Sequence, residues 1–168
     1  MQYKLRPWNI NDLDSLVEYA NNKKIADNLT DKFPHPYSEE NGIAFISFAS
    51  DFEKHRIFAI DIEGRACGGI GLHPQDDVYR KNAELGYWLG EPYWGKGIIT
   101  TAIKEMVDWG FANLEIDRIF ARPYGRNKGS QRVLEKAGFV LEAKFEKTLW
   151  KNGQYEDELV YAVRRGQP

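Results

Sequence analysis

The stretch Trp94-Gly95-Lys96-Gly97-Ile98-Ile99-Thr100 carries the plainest chemistry in this 168-residue sequence. Two glycines one residue apart let a backbone approach an anion and take conformations that side chains oppose. Ile99, Ala102, Ile103, Met106 and Gly110 follow at helical spacing, so the loop opens a helix. The N–H groups of a helix's first turn and the helix dipole both attract negative charge, which makes a pyrophosphate a natural guest. A tight strand-to-helix turn would use the same glycines, so the loop alone does not decide. It lacks the Gly-Lys-Ser/Thr ending of a P-loop and the third glycine of a dinucleotide fingerprint. A nucleotide enzyme binding ATP is therefore the weakest reading.

Other residue types exclude chemistry. Cys67 is the single cysteine, so neither an internal disulfide nor a thiolate zinc site can form. Its setting, Arg65-Ala66-Cys67-Gly68-Gly69-Ile70, reads as a strand with a small buried residue. His35, His55 and His73 are scattered, and two precede proline, which fits turns and strand ends; no metal is expected. A net charge of −2 leaves no electrostatic footprint for nucleic acid. No apolar run approaches the roughly 18 residues of a membrane span. Met1 to Pro7 lacks the apolar core of a secretory signal, so the expected address is cytoplasmic.

The surrounding pattern must position the loop. Tyr3 to Pro7 predicts a strand, and Asn11 or Asp12 caps a helix bearing Leu13, Leu16, Val17 and Ala20. Prolines 34 and 36 keep residues 30–37 out of a helix. Ser38 caps a second helix whose buried stripe is predicted as Phe45, Phe48 and Phe52. Strands follow at Arg56–Asp61, Ala66–His73 and Ala83–Leu89, the first two joined at Glu63-Gly64-Arg65. After the glycine loop and its helix come a strand at Asp117–Arg122 and a helix from Asn127 to Lys136, stopped by Gly138. A hairpin turning at Asn152-Gly153 joins Phe139–Trp150 to Tyr155–Arg164. No repeat or linker interrupts the order, so residues 1–168 are expected to form one α/β domain with a mixed sheet and helices on both faces. The alternating final strand, Asp157–Arg164, could pair with a second copy, so monomer and homodimer both stay open.

The stretches Ala83-Glu84-Leu85-Gly86-Tyr87-Trp88-Leu89 and Tyr93-Trp94-Gly95-Lys96-Gly97-Ile98 resemble the central motif of the GNAT superfamily of N-acetyltransferases. Asn127-Lys128-Gly129-Ser130 and Glu135-Lys136-Ala137-Gly138-Phe139 resemble its second half. Phe33-Pro34-His35-Pro36-Tyr37 and Gly153-Gln154-Tyr155-Glu156-Asp157 have counterparts in the branch containing bacterial ribosomal-protein N-terminal acetyltransferases. The resemblance runs from Leu5 to Ala162 and implies a mostly antiparallel sheet of six to seven strands. It implies acetyl-CoA as cofactor, coenzyme A as product, and an amine attacking directly in a ternary complex. Trp94 stands where the superfamily usually has Gln or Arg, and Ile99 where it has Gly or Ala; both changes spare the main-chain groups that hold an anion.

Carried over by position, the cofactor contacts are Tyr87, Trp88 and Leu89 through their backbone, Trp94, Gly95, Lys96, Gly97, Ile98, Ile99 and Thr100 around the pyrophosphate, and Asn127 on the pantetheine arm. Glu84 becomes the general base through a water chain, against the alternative of an edge-strand carboxylate or a surface salt bridge. Ser130 becomes the proton donor to the sulfur, since Leu134 replaces the tyrosine many members carry one turn later. Water could also serve, because a free thiol has a pKa near about 8.5. His35 and Tyr37 lie in the loop that resembles the acceptor wall. An α-amine of pKa near about 8 is roughly a tenth neutral at pH 7, whereas lysine is almost wholly charged. The acceptor is accordingly a protein N-terminus or a small-molecule amine. The rival class is a module that senses acyl-CoA without turning it over.

Overall fold

The computed structural model describes residues 1–167. The elements run β1 (Lys4–Pro7), α1 (Leu13–Ala20), α2 (Lys23–Ala26), α3 (Glu39–Ala49), α4 (Phe52–His55), β2 (Ile57–Ile62), β3 (Arg65–Pro74), β4 (Asn82–Leu89), α5 (Ile98–Asn113), β5 (Arg118–Ala121), α6 (Lys128–Lys136), β6 (Val140–Lys151) and β7 (Gln154–Arg164). Seven strands form one mostly antiparallel sheet in the order β1-β2-β3-β4-β5-β7-β6. The packing divides the chain into two compact units, Met1–Gly71 with Tyr87–Ile98, and Leu72–Gly86 with the chain from Ile99 onward.

In the first unit β1, β2 and β3 pair antiparallel, with Lys4 opposite Asp61 and Phe58 opposite Ile70. Trp8, Leu16, Tyr37, Ile46 and Ile57 anchor its core, and Phe33 and Trp88 pack against them. α1 begins at Leu13 with Asp12 at its N-cap position, as expected, but Asp12 makes no capping bond to α1; the side-chain cap lies at Asn9. Asn9 accepts the Asn11 N–H and gives its own N–H to Asp12, which closes a short 3-10 turn that runs into α1. Asp12 also holds Arg6, whose guanidinium reaches Asp61 as well at 2.6 Å.

The predicted phenylalanine stripe is corrected. Ser38 does cap α3, and that start turns Gly42, Ile46 and Ala49 inward. Gly42 marks a close approach of α3 to α1, where a Cβ would stand 2.7 Å from Leu13 Cδ1 and the leucine would have to shift. Phe45 flanks that line and meets Trp8 edge-on, while Phe48 is exposed and stacks on His55. Phe52 belongs to the separate helix α4 and packs on Phe58.

In the second unit the first half of β4 runs parallel to β5, with Glu84 opposite Phe120. A parallel neighbour needs a crossover, and α5 supplies it. Ala102, Ile103 and Met106 are its buried face. β7 lies between β5 and β6 and pairs with both, so the strand expected to meet a second copy is already satisfied, and β6 is the edge at that end of the sheet. The hairpin between β6 and β7 turns where expected, with Asn152 and Gly153 at φ of 52° and 75°, the left-handed pair of a type I′ turn.

Candidate functional site

The glycine loop is built by what precedes it. β4 ends at Leu89, and the Gly90 N–H donates to the Cys67 carbonyl at 2.7 Å, tying the turn to β3. A short 3-10 turn, Glu91–Tyr93, follows. Its Tyr93 hydroxyl lies 3.2 Å from that of Tyr19, to which the Arg65 guanidinium donates at 3.0 Å; Arg65 also pairs with Glu18. The Tyr19 hydroxyl, then the Cys67 side chain, hold the Tyr93 phenol well above its ordinary pKa. Lys24, then Asn22, hold Glu91 below the usual carboxylate range. Trp94 closes the turn, its indole N–H donating to the Leu89 carbonyl at 2.7 Å.

Gly95 and Gly97 then adopt φ of 71° and 77°, and a Cβ on either would meet nothing within 4 Å. The glycines answer a conformational demand, not a crowded space. Left-handed backbone costs a side-chain-bearing residue about 1–2 kcal/mol. Sixteen-residue α5 starts at Ile98, so the loop delivers its backbone to the positive end of a helix dipole. Gly95, Lys96 and Gly97 are exposed, with the Lys96 ammonium 5.6 Å from the Tyr93 ring, while the Ile98 side chain is buried and Ile99 and Thr100 are half-buried. The main chain from Gly95 to Thr100 therefore suits a diphosphate, and Ile98 contributes by anchoring the helix start.

On β4, Leu89 is buried and Trp88 packs edge-on against Phe33 at 5.8 Å. Gly68 and Gly69 of β3 are needed beside it: a Cβ at 68 would stand 2.5 Å from the Trp88 carbonyl oxygen, and one at 69 would stand 2.9 Å from the Trp88 indole nitrogen. Tyr37 lies in the core, its N–H bonded to Asn21 and its phenol pushed up to about 12 by burial. His35 is exposed and joined to Pro36 by a cis peptide bond.

The second unit carries Glu84, Asn127 and Ser130. β4 is an interior strand, so Glu84 is not on an edge. Arg122 meets it with two bonds, Nε to Oε1 at 3.1 Å and Nη2 to Oε2 at 2.9 Å. Burial works against the Arg122 charge, and the Glu84 carboxylate, with a smaller contribution from Glu158, outweighs it and holds the guanidinium above its ordinary pKa. Asn127 caps α6 by accepting the Ser130 N–H at 3.2 Å. Leu134, one turn on, is fully buried, so its position serves the core. Among the described residues, no three His, Cys, Asp or Glu side chains cluster to hold a metal ion. Arg122 and the Tyr19–Tyr93 pair are absent from the residues singled out by sequence. A register between strands decides the first, and a contact across 74 residues decides the second.

This sheet, with a left-handed glycine loop feeding the crossover helix, is an acetyltransferase fold. It superposes on the crystal structure of a GNAT-family acetyltransferase from Bacillus anthracis with a TM-score of 0.86 at 22% identity, covering 99% of this chain and 97% of that one. The sequence matches the acetyltransferase (GNAT) domain family over residues 3–140, and the chain belongs to that family. It is 45% identical over 101 residues to the probable N-acetyltransferase YjcK of Bacillus subtilis (strain 168), covering 60% of this chain and 56% of the relative. It is 30% identical over 107 residues to the ribosomal-protein-serine acetyltransferase of Escherichia coli (strain K12), covering 64% and 59%. The chain spans little more than half the length of these curated relatives.

Proposed function

We propose that this protein transfers the acetyl group of acetyl-CoA to a primary amine, with the α-amine of a polypeptide N-terminus as the preferred acceptor. The observation that carries this reading is the pair of left-handed glycines, 95 and 97, opening a sixteen-residue helix in a chain of the GNAT family. Backbone N–H groups from Gly95 to Thr100 would hold the pyrophosphate, and the main chain of Tyr87–Leu89 together with Asn127 would hold the pantetheine arm. The cofactor supplies an activated thioester. The chain's own residues bind, orient and move protons.

In a ternary complex the amine nitrogen bonds to the acetyl carbon as the carbon–sulfur bond breaks. The amine's proton passes through water to Glu84, and Ser130 or water protonates the departing thiolate. An α-amine is the acceptor this arrangement suits, because about a tenth of it is already neutral at pH 7 and little base strength is asked of Glu84. The likeness to a ribosomal-protein-serine acetyltransferase supports the same choice. His35, exposed in the loop ahead of α3, and Tyr37, two residues on and buried in the core, are assigned to the acceptor side.

The two compact units make one N-acetyltransferase domain in this reading, since the family match runs through both. No described helix is long and apolar enough to cross a membrane, and we place the protein in the cytoplasm without a nucleic-acid partner. If it forms a homodimer by strand pairing, twelve-residue β6 is the longer of the two edge strands, β1 and β6.

The test is release of coenzyme A thiol with three acceptors: a peptide with a free N-terminal serine, a polyamine, and free lysine. The reading expects fastest turnover with the peptide and a large loss in Glu84→Gln. Turnover that survives Glu84→Gln unchanged removes the base assignment. Tight acetyl-CoA binding with no turnover on any acceptor would favour the acyl-CoA sensor.

A further inference from the structure

Glu84 and Arg122 form a fork-to-fork pair, with both guanidinium bonds on separate carboxylate oxygens at 2.9 and 3.1 Å. The side chains are 27% and 48% exposed, and pairs of that exposure contribute only about 0–1 kcal/mol to stability. A bidentate fork is the geometry in which such a pair contributes most, so each variant's melting temperature is read beside its kcat. The backbone beneath Arg122 is pinned on both sides. Ala121 pairs with Tyr161 across the β5–β7 ladder, and the Pro123 carbonyl accepts the Leu159 N–H at 3.0 Å. Glu84 sits on β4, opposite Phe120 in the parallel register. Arg122 reaches it from a fixed base, two residues further along β5's direction.

We infer that Arg122 is a positioning residue for acetyl transfer: its guanidinium fixes the orientation of the Glu84 carboxylate and aims it at the water that relays the amine's proton. This rests on the reading of Glu84 as general base. A carboxylate has about four lone-pair sites. The fork occupies one on each oxygen and leaves one on each for water, which the partial exposure of Glu84 admits. Without the fork the glutamate samples several rotamers, and the share aimed at the relay falls. Small misplacements of a reacting group carry large rate costs. The guanidinium's planar fork matters here as well as its charge, so lysine is an incomplete substitute.

The experiment is a double-mutant cycle on steady-state turnover, using acetyl-CoA and whichever of the three acceptors is turned over fastest. Arg122→Gln is expected to lower kcat about tenfold while leaving KM for acetyl-CoA unchanged, and Arg122→Lys to recover part of the loss. In a Glu84→Gln background, Arg122→Gln should change kcat no further, because the two residues act as one unit. Melting temperatures of all variants should stay together, which excludes loss of fold as the cause. If Glu84→Gln lowers kcat but Arg122→Gln does not, or if the two losses multiply, the inference is overturned while the base assignment stands. If Glu84→Gln itself leaves kcat intact, the base assignment fails and the inference falls with it.

Discussion

Gly68 of β3 faces the β4 main chain at Trp88 and Leu89, the segment assigned to the pantetheine arm. In Gly68→Ala the new Cβ would stand 2.5 Å from the Trp88 carbonyl oxygen and 3.1 Å from Leu89 Cα. Both are backbone atoms, so relief requires β4 to move. Overpacking of this kind costs about 1–3 kcal/mol. Replacing a glycine by alanine also returns about 0.4–1 kcal/mol through the unfolded chain. The net loss is then about 0–2.6 kcal/mol, centred near about 1 kcal/mol, a fall in Tm of up to about 10 °C for a chain of this size. Gly86→Ala on β4 is the control. Its Cβ would meet only the His73 side chain, no nearer than 3.6 Å, and its Tm should hold or rise. Scanning calorimetry compares the three proteins, and acetyl-CoA titration should show weaker binding for Gly68→Ala alone. A Gly68→Ala protein that melts at or above the parent temperature and binds acetyl-CoA normally would refute the reasoning.

Gly97→Ala should lower stability by about 1–2 kcal/mol in urea unfolding through the cost of φ 77°, and Gly97→Asn should lose less; parent-like stability in both would show that the loop does not need its left-handed backbone. Arg6→Met should destabilise the protein by about 3–5 kcal/mol in urea unfolding, because it strands the buried carboxylates of Asp12 and Asp61. Tyr37 supplies a pH prediction: burial raises its phenol to about 12, so the unfolded chain loses this proton first. Its share of stability is intact below about pH 10 and fades as pH climbs toward 12. Tyr37→Phe should flatten that alkaline decline in Tm.

Local chemistry was the legible part. Gly95 and Gly97 announce a left-handed turn because few other residues tolerate one, and Asn127, Ser38 and the Asn152-Gly153 turn act within a few residues of themselves. Phase and register were harder to read. Phe45, Phe48 and Phe52 look like a stripe until Gly42 proves to be the point where α3 meets α1, which turns Phe48 outward. Asn9 was hidden because it caps a 3-10 turn that precedes the helical pattern. The alternation of Asp157–Arg164 leaves pairing with a second copy open, whereas β7 inserts between β5 and β6, an order that no local pattern carries. Glu84 could be named from its motif, but its partner depends on the parallel register of β4 and β5, and nothing local to Arg122 marks it.

Acetyl-CoA titration by calorimetry, with coenzyme A and ATP as comparisons, tests the central claim most directly. Micromolar binding of acetyl-CoA, retained for coenzyme A and absent for ATP, is the predicted result. A protein that binds no coenzyme A thioester, or that prefers ATP, would contradict the assignment of the glycine loop and the acetyl transfer built upon it.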